Sequence, residues 1–304
     1  MKKKLWQKLG ALALTGVLSV SLLAACGGAA DTSTESDAQE ETAEAESTQA
    51  AEEEGDAPEA VTLKIAASPT PHAEILEYAA SALAEEGITL EVDEFEDYVQ
   101  PNNVVDDGTY DANYFQHTPY LDSFNEENGT DVVSAGKIHY EPFAIYPGTK
   151  SSLDDIADGD SIAVPNDTTN EARALLLLQD NGLITLNDGV GLEATVNDIA
   201  DNPHNLKIEE LEAAQVSRAA QDVAFLAVNG NYAQEAGWTV ADNAIAVEKS
   251  DSEAASTYAN IIAVKNGNEN NESIQKLVEV LRSDDVQAWI EQEYNGGVVP
   301  YTGD

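Results

Sequence analysis

Hydrophobic and polar positions divide the chain into three stretches of different character. The first is an apolar run from 9 to 25, relieved only by Gly10, Thr15, Gly16, Ser19 and Ser21. The second, 27–60, contains no Leu, Ile, Val, Phe, Tyr or Trp. From Val61 onward, short apolar segments recur with the periods of strands and helices. Val61–Ala67 alternates and predicts a strand, Ser68-Pro69-Thr70-Pro71-His72 a loop, and 73–86 a helix stopped by Gly87. Residues 88–95 alternate at Ile88, Leu90 and Val92 and predict a second strand. Strand, helix, strand implies a sheet with helices on its faces.

The same grammar returns downstream. It predicts a strand at 160–165, a polar turn at 166–169, a helix at 171–180 closed by Asn181-Gly182, and a strand at 207–211. A strand at 223–228 precedes a helix near Tyr232, and 261–264 reads as a buried strand. A final amphipathic helical region, 273–294, turns Leu277, Val278, Val280 and Leu281 inward. The expected organisation is two α/β lobes, 61–148 with 243–304 and 149–242. Ligands of open α/β sheets sit at the carboxyl ends of strands, so two such lobes facing each other would frame a cleft. Pro165-Asn166-Asp167-Thr168-Thr169 lacks the glycines that close approach to phosphate requires.

Charge narrows the function classes. Lys+Arg number 14 against 57 Asp+Glu, a formal net charge of −43. Such a surface repels phosphate backbones and is not drawn to anionic membranes, which argues against a nucleic-acid partner. A single cysteine, Cys26, allows neither an internal disulfide nor a cysteine-clustered zinc site. The four histidines, His72, His117, His139 and His204, lack metal-ligand spacing, so no metal and no cofactor is predicted. The acidic run 93–97 reads as a solvated strand end. An enzyme would need an acid and a base beside its ligand, and only His117 with Glu141 could be assembled into that role. No enzyme is predicted.

The amino terminus supplies the membrane link that charge does not. Lys2, Lys3, Lys4 and Lys8 precede or flank the apolar run, which ends in Leu23-Ala24-Ala25-Cys26-Gly27. This is a secretory signal, and its ending resembles a bacterial lipobox, in which the cysteine is diacylated and becomes the mature N-terminus. The expectation is a signal peptide over 1–25 and a lipid anchor on Cys26 at the extracytoplasmic face of the cell membrane. Two acyl chains anchor stably where one does not. The alternative, an uncleaved spanning helix, suits the run less well because it is short and holds glycines and hydroxyls. The 12 acidic residues of 27–60, with no Lys or Arg, predict a disordered tether or an equivalent solubilising tail.

Several motifs then converge on one family. Tyr98-Val99-Gln100-Pro101-Asn102, Asp111-Ala112-Asn113-Tyr114-Phe115-Gln116-His117-Thr118-Pro119-Tyr120-Leu121 and Val164-Pro165-Asn166-Asp167 resemble the NlpA family, the methionine-binding lipoproteins of ABC importers. So do Asn170-Glu171-Ala172-Arg173-Ala174-Leu175-Leu176-Leu177-Leu178 and Ala227-Val228-Asn229-Gly230-Asn231-Tyr232-Ala233. The resemblance spans essentially all of 61–304. It implies a periplasmic-binding-protein-like (type II) α/β fold, two lobes with a hinge and an interlobe cleft. It also implies a monomeric carrier of a zwitterionic amino acid, usually methionine, serving an ABC permease and ATPase.

With that family in view, Arg173, one of three arginines, is expected to hold the ligand α-carboxylate in a bidentate fork, assisted by Asn170. Otherwise it is a surface ion pair. Tyr98, Phe115, His117 and Tyr120 are expected to form an aromatic sleeve for a thioether, with His117 donating a hydrogen bond to the ligand or to a cleft wall; Phe115, His117 and Tyr120 read as lying in a turn. Ordinary core is the competing reading. Glu141, after a strand at 137–140, is expected either to accept from the ligand ammonium or to serve as a solvated or hinge carboxylate. Asn229 suits a zwitterion better than Asn231, although Asn-Gly-Asn also favours turns. His72 reads as a helix-start residue. L-Methionine leads among ligands, with D-methionine, a methionine dipeptide or another apolar amino acid left open, and a surface structural protein as the distant alternative.

Overall fold

The computed structural model describes residues 61–249 and 252–303. The expected signal peptide, Cys26 and the acidic stretch to residue 60 lie outside the described residues. The first lobe opens with β1 (Val61–Ala67), whose alternation buries Leu63, Ile65 and Ala67. It continues through α1 (Glu74–Glu85), β2 (Ile88–Glu94), α2 (Gln100–Asp106), β3 (Ala112–His117), α3 (Thr118–Asn128) and β4 (Val132–Tyr140). The second lobe comprises β5 (Ala144–Pro147), β6 (Ser161–Pro165), α4 (Thr168–Asp180), β7 (Thr185–Leu186), β8 (Ile199–Asp201), β9 (Lys207–Leu211) and α5 (Ala213–Val216). It closes with β10 (Phe225–Val228), α6 (Gly230–Glu235), α7 (Val240–Asn243) and β11 (Ala246–Val247). The chain then returns to the first lobe as α8 (Ser252–Thr257), β12 (Ala259–Lys265), α9 (Glu272–Leu281), α10 (Asp284–Tyr294) and β13 (Val299–Pro300).

Each lobe has its own sheet. The first runs β13-β4-β12-β3-β1-β2, and the second β11-β5-β10-β6-β9. In the first, β1 is parallel to both neighbours while β12 is antiparallel to β3 and β4, so the returning chain is stitched into the middle of the sheet. The apolar stripes of α1 (Ile75, Leu76, Ala79, Leu83) and α9 (Ile274, Leu277, Val278, Leu281) cover it. In the second, Ile145, Ile162, Val164 and Phe225 pack against Leu175 and Leu178 of α4. The expected two-lobe α/β architecture is therefore the one observed. Among the described residues no helix is long and apolar enough to cross a membrane.

The differences from expectation are local. The chain crosses between lobes at 141–143 and again after Val247, a few residues from the expected boundaries at 148 and 243. The reason is pairing: Ala144–Pro147 is buried apolar strand held by both β10 and β11. Helix α4 starts at Thr168 rather than 171, because the Asp167 side chain accepts the Asn170 N–H and caps it. The final helical region is two helices, since Ser283 caps a fresh start by accepting the Val286 N–H. Phe115 and His117 lie on β3 and Tyr120 on α3, not in a turn. The loop after β1 is a single tight turn that carries His72 fully into the interior.

Candidate functional site

Three strand-to-helix junctions meet between the lobes. At the first, His117 ends β3 and caps α3: its Nδ1 accepts the Tyr120 N–H at 3.2 Å. That leaves Nε2–H to donate across the cleft to Asn170 Oδ1, 3.2 Å away on the second junction. Asn170 Oδ1 also accepts from Asn229 Nδ2 of the third junction at 2.9 Å, and Asn170 Nδ2 donates to Asp167 Oδ1 at 2.7 Å. One amide thus ties three elements and both lobes together. Burial, and then the charge of Arg173, pushes the His117 imidazole down to about 3, so it is neutral in the folded chain.

These junctions enclose a small cavity of about 20 Å³. One side is aromatic. Tyr98 packs at ring-centroid distances of 5.6 Å from Phe115 and 5.7 Å from Tyr120. The Tyr98 hydroxyl donates to Asn231 Oδ1 at 2.5 Å, and its carbonyl accepts the Tyr120 hydroxyl at 3.0 Å. The other side is polar: Asn170, Arg173, Asn229, Gly230 and Asn231 of the second lobe, with Glu141 from the crossing segment. Every predicted ligand-contacting residue therefore lines this one cavity: Tyr98, Phe115, His117, Tyr120, Glu141, Asn170, Arg173 and Asn229.

Arg173 is not the open fork that the sequence suggested. Its Nε donates to Glu248 Oε2 at 2.9 Å, and its Nη2 donates to Glu248 Oε1 and, at 2.9 Å, to the Glu141 carbonyl. The guanidinium carbon also sits 4.1 Å from the Tyr258 ring centroid. Nη1 makes no hydrogen bond among the described residues and is the donor left over. Glu248 additionally accepts the Tyr140 hydroxyl and the Phe143 N–H, the latter at 2.8 Å. Opposite in character, Asn229 Oδ1 is a buried acceptor without a donor among the described residues.

Sequence reasoning missed four participants. Glu248 stands in Val247-Glu248-Lys249 with nothing to distinguish it from the other acids. Asn231, ranked below Asn229, lines the same cavity. His72 and His139 are both fully buried and converge on Glu141. For His139 a signal existed: it stands two residues before Glu141, which places both on one side of an extended chain.

The comparisons with known proteins agree with one another. The NlpA lipoprotein family matches residues 63–302. The D-methionine-binding lipoprotein MetQ of Escherichia coli O157:H7 is 44% identical over 215 residues, covering 70% of this chain and 78% of its own. A Ruminococcus gnavus protein of known crystal structure shares 67% identity with a TM-score of 0.78, over 79% of this chain and 99% of that one. A Burkholderia cenocepacia nutrient-binding protein, solved bound to methionine, shares 42% identity with a TM-score of 0.74, over 78% and 99% respectively.

Proposed function

Because the chain belongs to the NlpA lipoprotein family, we propose that it is the extracytoplasmic binding protein of an ABC importer, carrying methionine in the interlobe cavity. The observation that carries this reading is the division of that cavity into an aromatic wall and a polar wall that keeps one donor and one acceptor unmatched. Arg173 Nη1 is a donor in want of an acceptor and meets the α-carboxylate, beside the amides. Asn229 Oδ1 and the Glu141 carboxylate are acceptors and meet the ammonium end. Phe115, Tyr98 and Tyr120 give a thioether the soft, polarisable contacts it favours. His117 and Asn170 hold the walls in register across the cleft.

The mechanism needs no covalent step. Ligand enters between the lobes, the crossings at 141–143 and after Val247 act as the hinge, and the closed form docks on the permease and its ATPase. Acylated Cys26 keeps the monomer at the membrane, with 27–60 as its leash. The test is calorimetry on protein stripped of ligand by unfolding and refolding. L-Methionine should bind one to one and tightly; D-methionine, a methionine dipeptide and glutamine run beside it assign the specificity. No saturable binding of any amino acid or dipeptide would sink the reading.

A further inference from the structure

Behind the cavity, on the crossing between the lobes, lies a buried cluster that ligand contact alone does not explain. His139 Nε2 lies 2.8 Å from Glu141 Oε1, and His72 Nε2 lies 3.4 Å from the same oxygen. His72 Nε2 also faces Asn260 Oδ1 at 3.0 Å, so this nitrogen looks at two acceptors and must carry the proton. The Tyr114 hydroxyl meets His139 Nδ1, so donation runs from tyrosine to imidazole to carboxylate. His139 therefore donates to Oε1, while the His72 N–H goes to Asn260 and its ring stands 3.4 Å from the same carboxylate oxygen. No side chain donates to Oε2 among the described residues. It occupies the space where a side chain on residue 230 would begin: a Cβ built on Gly230 would stand 2.7 Å from it. Glu141, Gly230 and Asn260 all line the cavity.

We propose that His139 and Gly230 are positioning residues that fix Glu141 as the receptor for a primary amine on the ligand, so that the protein selects α-amino ligands over their desamino counterparts. The inference rests on the reading of the cavity as an amino-acid site and adds to it a selection rule and the residues that enforce it. Neutral donors are what such a receptor needs. Cationic imidazoles would cancel the carboxylate before any ligand arrived. Burial lowers His72 to about 4 and His139 to about 3, which keeps them neutral, and His72 Nδ1 is buried with no partner to stabilise a second proton. Burial also raises Glu141, so its charge is held at a cost that an incoming ammonium relieves; His72, then Arg173 and the Asn231 N–H, act in the opposite sense and favour the charge. Glu141 offers its backbone carbonyl to Arg173 and its side chain to the cavity. One residue thus spaces the two ends of a zwitterion.

The experiment compares L-methionine with 4-(methylthio)butyrate, the same molecule without its amine, by calorimetry on the full chain stripped of ligand. The unaltered protein should prefer L-methionine by at least about a hundredfold, the scale of a buried charge pair losing one partner. Glu141→Gln should reduce that preference to below about tenfold. His139→Phe and Gly230→Ala should each lower it at least about tenfold, and His139→Gln, which keeps an N–H donor, should restore part of it. Equal weakening of both ligands in the His139 and Gly230 variants would overturn the inference and leave the cluster a packing feature. An unaltered protein that binds both compounds alike would overturn it too. So would Zn²⁺ binding that His139→Phe removes, since two imidazoles and a carboxylate would then be a metal centre. If L-methionine fails to bind at all, the methionine reading falls first. The ligand released on unfolding, identified by mass spectrometry, then decides the amine rule: a ligand with a primary amine upholds it and one without overturns it.

Discussion

The two walls of the cavity are built from the same local device and use it to opposite ends. Each lobe presents a strand end that runs directly into a capped helix: His117 into α3 on one side, Asp167 into α4 on the other. On the first-lobe wall, the residues around the junction are aromatic and packed on one another, with Phe115 3% and Tyr120 8% exposed. On the second-lobe wall they are amides and a guanidinium, buried to a similar degree. Dispersion contacts are small, numerous and forgiving, so an aromatic wall degrades gradually when trimmed. Buried polar groups are few and unforgiving, because removing one partner leaves the other desolvated and alone. The contrast predicts steep losses on the polar side and shallow ones on the aromatic side.

Arg173→Ala is the sharpest way to break that contrast. It strands Glu248, and the loss of a buried partner should cost about 3–5 kcal/mol of folding stability, read by denaturant titration. Methionine affinity should fall by more than about a hundredfold. Retention of affinity within tenfold would mean that the polar wall does not hold the carboxylate.

The His117 position comes next, and its signature is in pH. Its folded value is lowered from 6.5 to about 3, so the unfolded chain takes up the proton first as pH falls. The stability contributed by the neutral ring is complete above pH 6.5 and disappears on the way down to about 3. Measured without ligand, the advantage of the unaltered protein over His117→Gln should shrink by up to about 1.4 kcal/mol per pH unit through that window. A difference that does not change with pH would show that the ring is not held neutral between the lobes.

Smaller effects belong to the aromatic wall. Phe115→Leu should weaken methionine by roughly 1 kcal/mol and narrow its margin over norleucine, since the sulfur–ring contact is what separates the two. Losses beyond a hundredfold would make this wall as unforgiving as the other. Tyr98→Phe removes only the hydroxyl that donates to Asn231 across the cleft, and should cost about 0.5–1.5 kcal/mol of affinity.

How much of this could be read in advance follows the same division. Strands, helices and the two-lobe plan were written in periodicity, because Leu63, Ile65, Ile75, Leu277 and their neighbours bury through a local repeat. The junction residues were legible because motif and capping chemistry coincide on the same few positions. Boundaries slipped where pairing outranked pattern, as when Ala144–Pro147 joined the second sheet. What could not be read were the partners that come from far along the chain. Glu248 lies 75 residues from Arg173, and Asn260 lies 188 residues from His72. Neither has a local feature that distinguishes it from a solvated polar residue. Arg173, singled out from the sequence, lines the cavity, while the carboxylate that already occupies most of its fork was invisible.

That carboxylate has a consequence for how such a carrier is tuned. Glu248 accepts from Tyr140 at the end of one sheet, from Phe143 on the crossing and from Arg173 on the other lobe, so a single side chain knots both inter-lobe segments. It does not line the cavity, and it need not touch the cargo. Substitution there would free the Arg173 fork and loosen both segments at once without removing any side chain that lines the cavity.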